Sequence, residues 1–336
     1  MLMMRMLLSM ISDKKDYFNK TIYNKTFFFS ILVSFLLIIF SLKDFDFLKF
    51  KHAYENMILS YLLLASFLLM LVIYLRALRW KLLINSSKRL DVYDLYKGQL
   101  IGYFGNNIFP FRAGELIKAY YIGNKYDKSK SKIFGSIILE RIFDFLGLFF
   151  LLLLLLNSNL KNIIFDHFYY GLIMILIFVF SGISISYFYN FKKNSNSIKT
   201  KVKNIISNII DGFASLNNNN IFPSIILTLI IWSIYVMEVY IVQSAFNMGL
   251  SINHAIFILF VSSIFMILPG LPGNFGTFEG SVIYSFTLWG TYGLYNITDN
   301  FGFAFILHLV SFIPYTIFGF IYFITELKFF INKKNN

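Results

Sequence analysis

The sequence predicts an all-α, polytopic integral membrane protein with about six full transmembrane helices and two re-entrant broken hairpins. Hydrophobic residues make up 57% of the 336 residues and charged residues only 14%. A soluble domain averages about 45–50% apolar and about 25% charged residues. Apolar segments near the roughly 20 residues needed to cross a bilayer recur along the chain. Basic residues are concentrated in the loops on one side of these segments, which is typical of membrane proteins.

Six apolar segments are long enough, or nearly so, to be full spans: 27–42, 57–75, 133–156, 168–190, 221–243 and 301–325. The first is not a cleaved signal, because no small-residue cleavage site follows it and the next loop leads into another span. We therefore predict one transmembrane domain over 27–327. A cytoplasmic segment, 1–26, precedes it and a cytoplasmic tail, 328–336, follows it.

The basic residues set the predicted orientation. Of the 30 Lys and Arg residues, all but four lie in a span or in segments on one side of the predicted spans. The four exceptions are Lys43, Lys49, Lys51 and Lys161, in the loops 43–56 and 157–167. Positively charged loops stay in the cytoplasm. We therefore expect a protein of the cell membrane with these two loops outside the cell and both termini in the cytoplasm. This asymmetry explains the net charge of +13 better than nucleic-acid binding does.

Two further apolar stretches, 93–123 and 251–290, are interrupted by Pro and Gly. The predicted orientation requires each to begin and end on the same side, the first in the cytoplasm and the second outside. Each could be two tight full spans, but arms of about 12–17 residues are short for that. We favour re-entrant hairpins, and their opposite entry suggests an inverted repeat.

The two hairpin tips share a Pro/Gly break followed by a glutamate. Broken helices in transporters direct half-helix N-termini towards anionic groups, which makes both tips candidate substrate-binding sites. The alternative is an interfacial loop with an acidic first helical turn. The candidate residues are Arg112, Gly114 and Glu115 after Pro110 in the first tip, and Pro272, Gly273, Gly276 and Glu279 in the second.

The third predicted span carries Glu140, Arg141 and Asp144. The uncharged run behind them, Phe145–Leu156, rises only about 18 Å, so the span must include the charges. Glu140 and Asp144 share a helix face, and Arg141 is spaced to pair with Asp144. Charges inside a membrane face the protein interior or water. They indicate either a substrate-binding cluster or a structural ion pair.

Three other polar positions carry weaker signals. Glu238, in the fifth span, is explained as well by a local hydrogen bond to Tyr235 as by function. His308, in the last span, is more typical of a packed, hydrogen-bonded histidine than of a ligand. Arg79 and Trp80 follow the second span and fit either a basic and aromatic anchor or an anionic-headgroup site.

Several kinds of chemistry are excluded. There are no cysteines, so the chain has no disulfide, thiolate catalysis, thiolate zinc site or iron–sulfur cluster. The four histidines lack metal-ligand spacing, and the phosphate-binding loop and common hydrolase and dinucleotide motifs are absent. We expect no metal, no cofactor and no soluble catalytic domain.

Three ordered motifs resemble a known family. They are Phe111-Arg112-Ala113-Gly114-Glu115, Glu140-Arg141-Ile142-Phe143-Asp144 and Pro272-Gly273-Asn274-Phe275-Gly276-Thr277-Phe278-Glu279. Together with Arg79 and Trp80 they are similar to the lysylphosphatidylglycerol synthase transmembrane, or flippase-like domain, family. Asn274 and Phe275 stand where that pattern is more glycine-rich. The resemblance covers about 27–327 and implies the membrane part alone, without the aminoacyltransferase or glycosyltransferase fused to it in some members.

The resemblance implies movement of an anionic or polyprenyl-linked lipid between leaflets. Arg112 and Arg141 would contact phosphate. The acids Glu115, Glu140, Asp144 and Glu279 would contact cationic headgroup parts, a coupling ion or those arginines. Two alternatives stay open. One is an intramembrane transferase using a lipid-phosphate donor, with Asp144 or Glu115 as base. The other is a non-catalytic platform for a separate glycosyl- or aminoacyltransferase. The expected partner is a membrane lipid or lipid-linked sugar.

Overall fold

A computed structural model describes residues 57–84, 90–109, 112–156, 218–267, 272–290 and 297–331, together with Lys51 and Glu55. The predicted spans at 27–42 and 168–190 lie outside these described residues. So do the segment 1–26, the loop 157–167 and most of the loop 43–56. Within the described residues all regular structure is helical and no strand is present.

The described helices follow the predicted order. They are α1 (Leu59–Leu83), α2 (Val92–Ile108), α3 (Gly114–Lys125), α4 (Lys130–Leu156), α5 (Asn218–Ala245), α6 (Ile252–Phe265), a 3₁₀ turn (Pro272–Asn274), α7 (Thr277–Trp289), α8 (Ile297–Thr325) and the short α9 (Lys328–Ile331).

Helices α1 and α5 form an antiparallel pair. The Ile58 amide donates to the Ala245 carbonyl at one end (3.2 Å), and Arg79 Nη1 donates to Thr228 Oγ1 near the other (2.9 Å). Both helices turn large apolar side chains outward, such as Phe67 and Phe222, which are 66% and 68% exposed. Helices α1, α5 and α8 are each long and apolar enough to cross a membrane.

The two interrupted stretches form two helical hairpins. The first pairs α2 with α3, and the second pairs α6 with α7. At the base of the first hairpin, Lys97 Nζ lies 2.6 Å from Glu326 Oε1, just beyond the C-terminal end of α8. At the base of the second, the rings of Phe286 and Phe303 pack 6.0 Å apart near the N-terminal end of α8. The hairpins therefore approach the middle of α8 from opposite ends.

A proline inside α8 is accommodated by a neighbouring helix. Pro314 has no amide hydrogen, so the carbonyl of Val310 lacks its usual helical donor. The Ser66 hydroxyl of α1 donates to that carbonyl at 3.2 Å. Helices in membranes tolerate proline when a neighbouring side chain bonds to the freed backbone group in this way.

Two predicted spans are shorter than the corresponding helices, because charged residues extend each helix. The span predicted at 57–75 continues as α1 to Leu83, because Arg76 and Arg79 find buried partners and need no aqueous loop. The span predicted at 133–156 begins at Lys130 and runs through its three charges as one helix. Arg76 and Arg79 are therefore buried residues of a helix and not residues of a cytoplasmic loop.

Candidate functional site

The two hairpin tips meet. Arg112 adopts a left-handed backbone conformation (φ 52°), and its guanidinium Nη2 donates to the Met266 carbonyl at the end of α6. Both residues line a cavity of about 470 Å³. Residues of α1, α2 and α4 to α8 complete its wall. One site is thus built jointly by the two interrupted stretches.

The cavity wall is mainly apolar with a few charges. Its apolar side chains include Leu69, Phe145, Leu148, Trp232, Leu259, Ile267, Phe278 and Leu307. Its charged side chains are Arg76, Arg112, Arg141, Asp144 and Glu238. A few polar groups within an apolar wall are typical of a small-molecule or lipid site.

Asp144 is the centre of an arginine cluster. One carboxylate oxygen lies 2.6 Å from Arg79 Nη2. The other lies 3.1 Å from Arg76 Nη2 and 3.0 Å from Arg141 Nη1. Arg76 and Arg79 are both buried, so a single carboxylate holds three guanidinium groups from α1 and α4 in place.

A second layer of ion pairs joins α3 to this cluster. Arg141 Nη2 lies 2.5 Å from Glu115 Oε1, and Lys118 Nζ lies 3.7 Å from the other oxygen of Glu115. Lys118 also contacts Glu140 at 2.5 Å, and Gln99 donates to Glu140 at 2.7 Å. The two layers therefore link both arms of the first hairpin to α4.

The charges of this region do not cancel. Arg76, Arg79, Arg112, Lys118 and Arg141 supply five basic groups, whereas the acidic groups are the four carboxyls of Glu115, Glu140, Asp144 and, on α5, Glu238. Arg112 forms no ion pair within the described part of the chain, and its hydrogen bond is to a backbone carbonyl. The region thus keeps a positive excess beside the cavity, which suits an anionic group.

The second tip is shaped by its backbone. Gly273 and Gly276 have φ of 67° and 79°, a region that favours glycine. Asn274, where the family pattern is more glycine-rich, also has a positive φ of 57°, which asparagine tolerates better than most residues. Glu279 Oε2 accepts from the Gly276 amide at 2.7 Å, so this glutamate fixes the start of α7.

The other oxygen of Glu279 lies 2.7 Å from His308 Nδ1 on α8, and both side chains are buried. His308 is therefore the packed, hydrogen-bonded histidine that the sequence predicted. Among the residues 272–279, only Phe278 lines the cavity.

Gly114 has a packing role. A Cβ atom at this position would lie 1.8 Å from the Gly102 carbonyl oxygen, so only glycine permits the arms of the first hairpin to approach this closely. Its amide donates to Asn106 Oδ1 at 2.9 Å, which satisfies one free donor of the α3 N-terminus.

The predicted site residues fall into three groups. Arg112, Arg141 and Asp144 line the cavity, and Glu115 and Glu140 hold the ion pairs behind it. Gly114, Pro272, Gly273, Gly276 and Glu279 are outside the cavity lining. Arg79 and Trp80 are fully buried and do not form an exposed anchor. Arg79 binds Asp144, while Trp80 donates to Ser136 and lies under Lys118.

Comparison with known proteins is consistent with this architecture. Residues 27–319 match the family described as the lysylphosphatidylglycerol synthase TM region. The chain belongs to this family. It is an integral membrane protein whose family points to a function connected with membrane lipids.

Three relatives of this family member are UPF0104 membrane proteins. A UPF0104 membrane protein of Methanocaldococcus jannaschii is 26% identical over 69% of the chain and 98% of that relative. A second from the same organism is 24% identical over 87% of the chain and 92% of its own length. One from Methanothermobacter thermautotrophicus is 22% identical over 68% of the chain and 76% of its length. No solved structure matches.

Sequence reasoning missed part of the site in this family member. Arg76 and Lys118 are not among its candidate site residues. Arg76 lies in the largely apolar helix α1, where a charge signals a buried or functional position. Lys118 lies in the more polar α3, which also carries Glu115 and Lys125. Tyr103 and Trp232, which also line the cavity, carry no such signal, because aromatic residues are abundant throughout this chain.

Proposed function

We propose that the protein binds the anionic headgroup of a membrane lipid in the cavity between the hairpin tips and moves it between leaflets. The observation that carries this proposal is the meeting of both tips at one arginine-lined cavity. Phosphate-bearing phospholipids and polyprenyl phosphates share the chemistry that this cavity would recognise.

Arg112 and Arg141 are the proposed phosphate contacts. The side chain of Arg141 is 37% exposed, more than the other members of its cluster. Arg112 has no acidic partner within the described residues and needs only to release a backbone carbonyl. A planar guanidinium binds phosphate with two parallel hydrogen bonds. The apolar wall of the cavity offers a surface to the adjoining lipid chain.

The opposed hairpins support translocation in particular. Their bases contact opposite ends of α8, so in a bilayer one hairpin would enter from each face, with both termini cytoplasmic. A site between two such elements can be exposed alternately to each face when one element rocks against the other. Retention of both hairpins as re-entrant elements in the cell membrane is part of this proposal.

The geometry gives less support to the transferase alternative. That mechanism needs Asp144 or Glu115 as a base, yet Asp144 is bound to three arginines and Glu115 to Arg141 and Lys118. Each cation favours the deprotonated form and lowers the carboxylate's tendency to accept a proton. A platform role for a separate transferase rests on the family resemblance alone.

Leaflet exchange in proteoliposomes tests the proposal. Fluorescent phosphatidylglycerol, phosphatidylcholine and polyprenyl phosphate would be compared, with dithionite quenching of the outer leaflet as the readout. We expect faster exchange of the anionic probes than in protein-free vesicles, and loss of that gain in Arg112→Ala. Lys81→Gln is the matched control, because it removes a positive charge from the last turn of α1 without touching the cavity.

Equal exchange of all three probes would contradict headgroup recognition. Exchange no faster than in empty vesicles for any probe would contradict translocation. Saturable binding of an anionic probe without exchange would then favour the platform or transferase alternative.

A further inference from the structure

Glu238 differs from every other acid near the cavity. It lies on α5, lines the cavity and is only 6% exposed. The predicted local bond to Tyr235 is absent. Within the described residues Glu238 forms neither a hydrogen bond nor an ion pair. Burying an uncompensated charge is costly, so this carboxylate needs either a proton or an unseen cation.

The ion pairs of the arginine cluster do not include Glu238 within the described residues. Thr228, which accepts from Arg79, marks the level of Arg79 on α5. Ten residues separate Thr228 from Glu238, which corresponds to about 15 Å along a helix. Because α1 and α5 are antiparallel, Glu238 lies towards the end where Ile58 bonds Ala245. The cavity thus has a cationic end and an isolated acidic end.

The groups around Glu238 offer no counter-charge at its own level. Helix α5 packs against α1, α4, α6 and α8. From these helices the charged or titratable cavity residues are Arg76 on α1, Arg141 and Asp144 on α4, and Tyr315 on α8; α6 contributes only Ser262 and Ser263 among its polar residues. Arg112, Tyr103 of α2 and Tyr235 of α5 complete the set. Arg76 and Arg141 are engaged with Asp144, and Arg112 donates to the Met266 carbonyl at the end of α6.

We propose that Glu238 is the proton-binding site that couples lipid movement to a proton gradient. This inference rests on the proposed function for the coupling, but the proton site itself does not. A hydronium ion transfers a proton to one carboxylate oxygen of Glu238, so that one O–H bond of hydronium breaks, one carboxyl O–H bond forms and water is left. The reverse transfer to water later restores the carboxylate and hydronium.

The coupling follows from the solvation of the carboxylate. When the cavity is closed and filled by lipid, water is excluded and Glu238 must be neutral. When the cavity opens to an aqueous face at low proton concentration, water can solvate the charged form and the proton leaves. Intramembrane acids serve as proton relays in pumps and transporters for this reason. Since one proton would accompany each closure, the direction of lipid movement would depend on the pH on each side.

The first test needs no substrate. Infrared difference spectra of the protein in nanodiscs would be recorded over a pH titration, following the carbonyl stretch of protonated carboxylic acids. We expect a titrating band that disappears in Glu238→Gln and persists in Glu279→Gln, which alters the buried acid of the second hairpin. If Glu238→Gln fails to fold, Glu238→Asp should shift the band. A band unchanged by either substitution would overturn the proton site. Sodium-dependent stabilisation of the wild type that Glu238→Gln abolishes, without any titrating band, would overturn it in favour of a metal cation.

The second test measures coupling with fluorescent phosphatidylglycerol in vesicles whose membrane potential is clamped by potassium and valinomycin. One proton per lipid allows a gradient of one pH unit to maintain about a tenfold ratio of probe between leaflets. We expect such an asymmetry for the wild type and for Lys81→Gln, which lies outside the cavity, and none for Glu238→Gln. Exchange that ignores the gradient in the wild type would overturn coupling. Absence of any exchange would count against the proposed function, while the infrared result would still decide the proton site.

Discussion

The two hairpin tips share a sequence pattern, a Pro/Gly break followed by a glutamate, but use it differently. In the first tip Glu115 reaches across to Arg141 of another helix, and Arg112 extends to the opposite tip. In the second tip Glu279 turns back to the Gly276 amide of its own helix start and to His308. The first tip thus presents side-chain charge, whereas the second presents a shaped backbone.

This difference shows that similar motifs need not supply similar ligands. The positive charge near the cavity comes from the first hairpin, α1 and α4, while the second hairpin contributes a carbonyl, serines and apolar side chains. A ligand held between the tips would be bound electrostatically on one side and by shape on the other. Substitutions in the two tips should therefore have unequal effects.

The largest effect is expected for Asp144→Ala, on the charged side. The substitution leaves three arginines without their shared partner, and breaking a buried ion pair costs about 3–5 kcal/mol. The thermal unfolding midpoint and the yield of folded protein should both fall sharply.

Neutralising Arg141 as well should rescue little, because Arg76 and Arg79 would remain unpaired. Asp144→Asn keeps one acceptor oxygen, so its unfolding midpoint should lie between those of the wild type and Asp144→Ala. Wild-type stability in Asp144→Ala would show that the cluster is solvated and not part of a buried network.

A difference of intermediate size is expected between Glu115→Gln and Glu279→Gln, with Glu115→Gln lowering the stability more. Glu115→Gln removes the charge that faces Arg141 and Lys118, and hydrogen bonds to charged groups contribute about 1.5–3 kcal/mol. Glu279→Gln keeps a carbonyl that can accept from the Gly276 amide, so its loss should be below about 1 kcal/mol, as for a neutral hydrogen bond. Thermal unfolding of the two variants in the same detergent measures the contrast. Equal destabilisation by the two substitutions would contradict the distinction between a charged first tip and a second tip shaped by its backbone.

The smallest effect on folding, but a clear one on activity, is expected for Arg112→Lys. Lysine keeps the charge yet lacks the planar fork that binds phosphate at two points. Exchange of fluorescent phosphatidylglycerol should slow about tenfold, equivalent to about 1.4 kcal/mol, with an unchanged unfolding midpoint. Lys81→Arg, a swap of the same kind outside the cavity, should leave exchange as it was. Exchange at the wild-type rate in Arg112→Lys would contradict two-point binding of phosphate by the Arg112 guanidinium.

Much of the fold was predictable because membrane spans depend on local composition. The apolar runs that became α1, α4, α5 and α8, and the two interrupted stretches, follow directly from hydrophobic length and from Pro and Gly. The pairing of Arg141 with Asp144 followed from helical spacing and is confirmed. The spans predicted at 27–42 and 168–190 stay predictions.

The site was only partly predictable, because its assembly depends on contacts between distant helices. Arg76 lies 68 residues before Asp144 in the chain, yet the two side chains share a hydrogen bond. The local sequence places Arg76 within an apolar helix but does not identify Asp144 as its partner. The isolation of Glu238 likewise depends on what its neighbours lack, and a single sequence contains no sign of that.

The bond from the Ser66 hydroxyl to the Val310 carbonyl links the identities of two distant positions. Pro314 leaves the Val310 carbonyl without its helical donor, and the Ser66 hydroxyl replaces that donor. Loss of Ser66 alone would leave this buried carbonyl without a hydrogen bond. Among homologues, chains that replace the proline should be free to carry alanine or leucine at the position of Ser66, while chains that keep it should retain a small hydroxyl residue there. The two positions are thus expected to covary during evolution although they lie on different helices and neither touches the cavity.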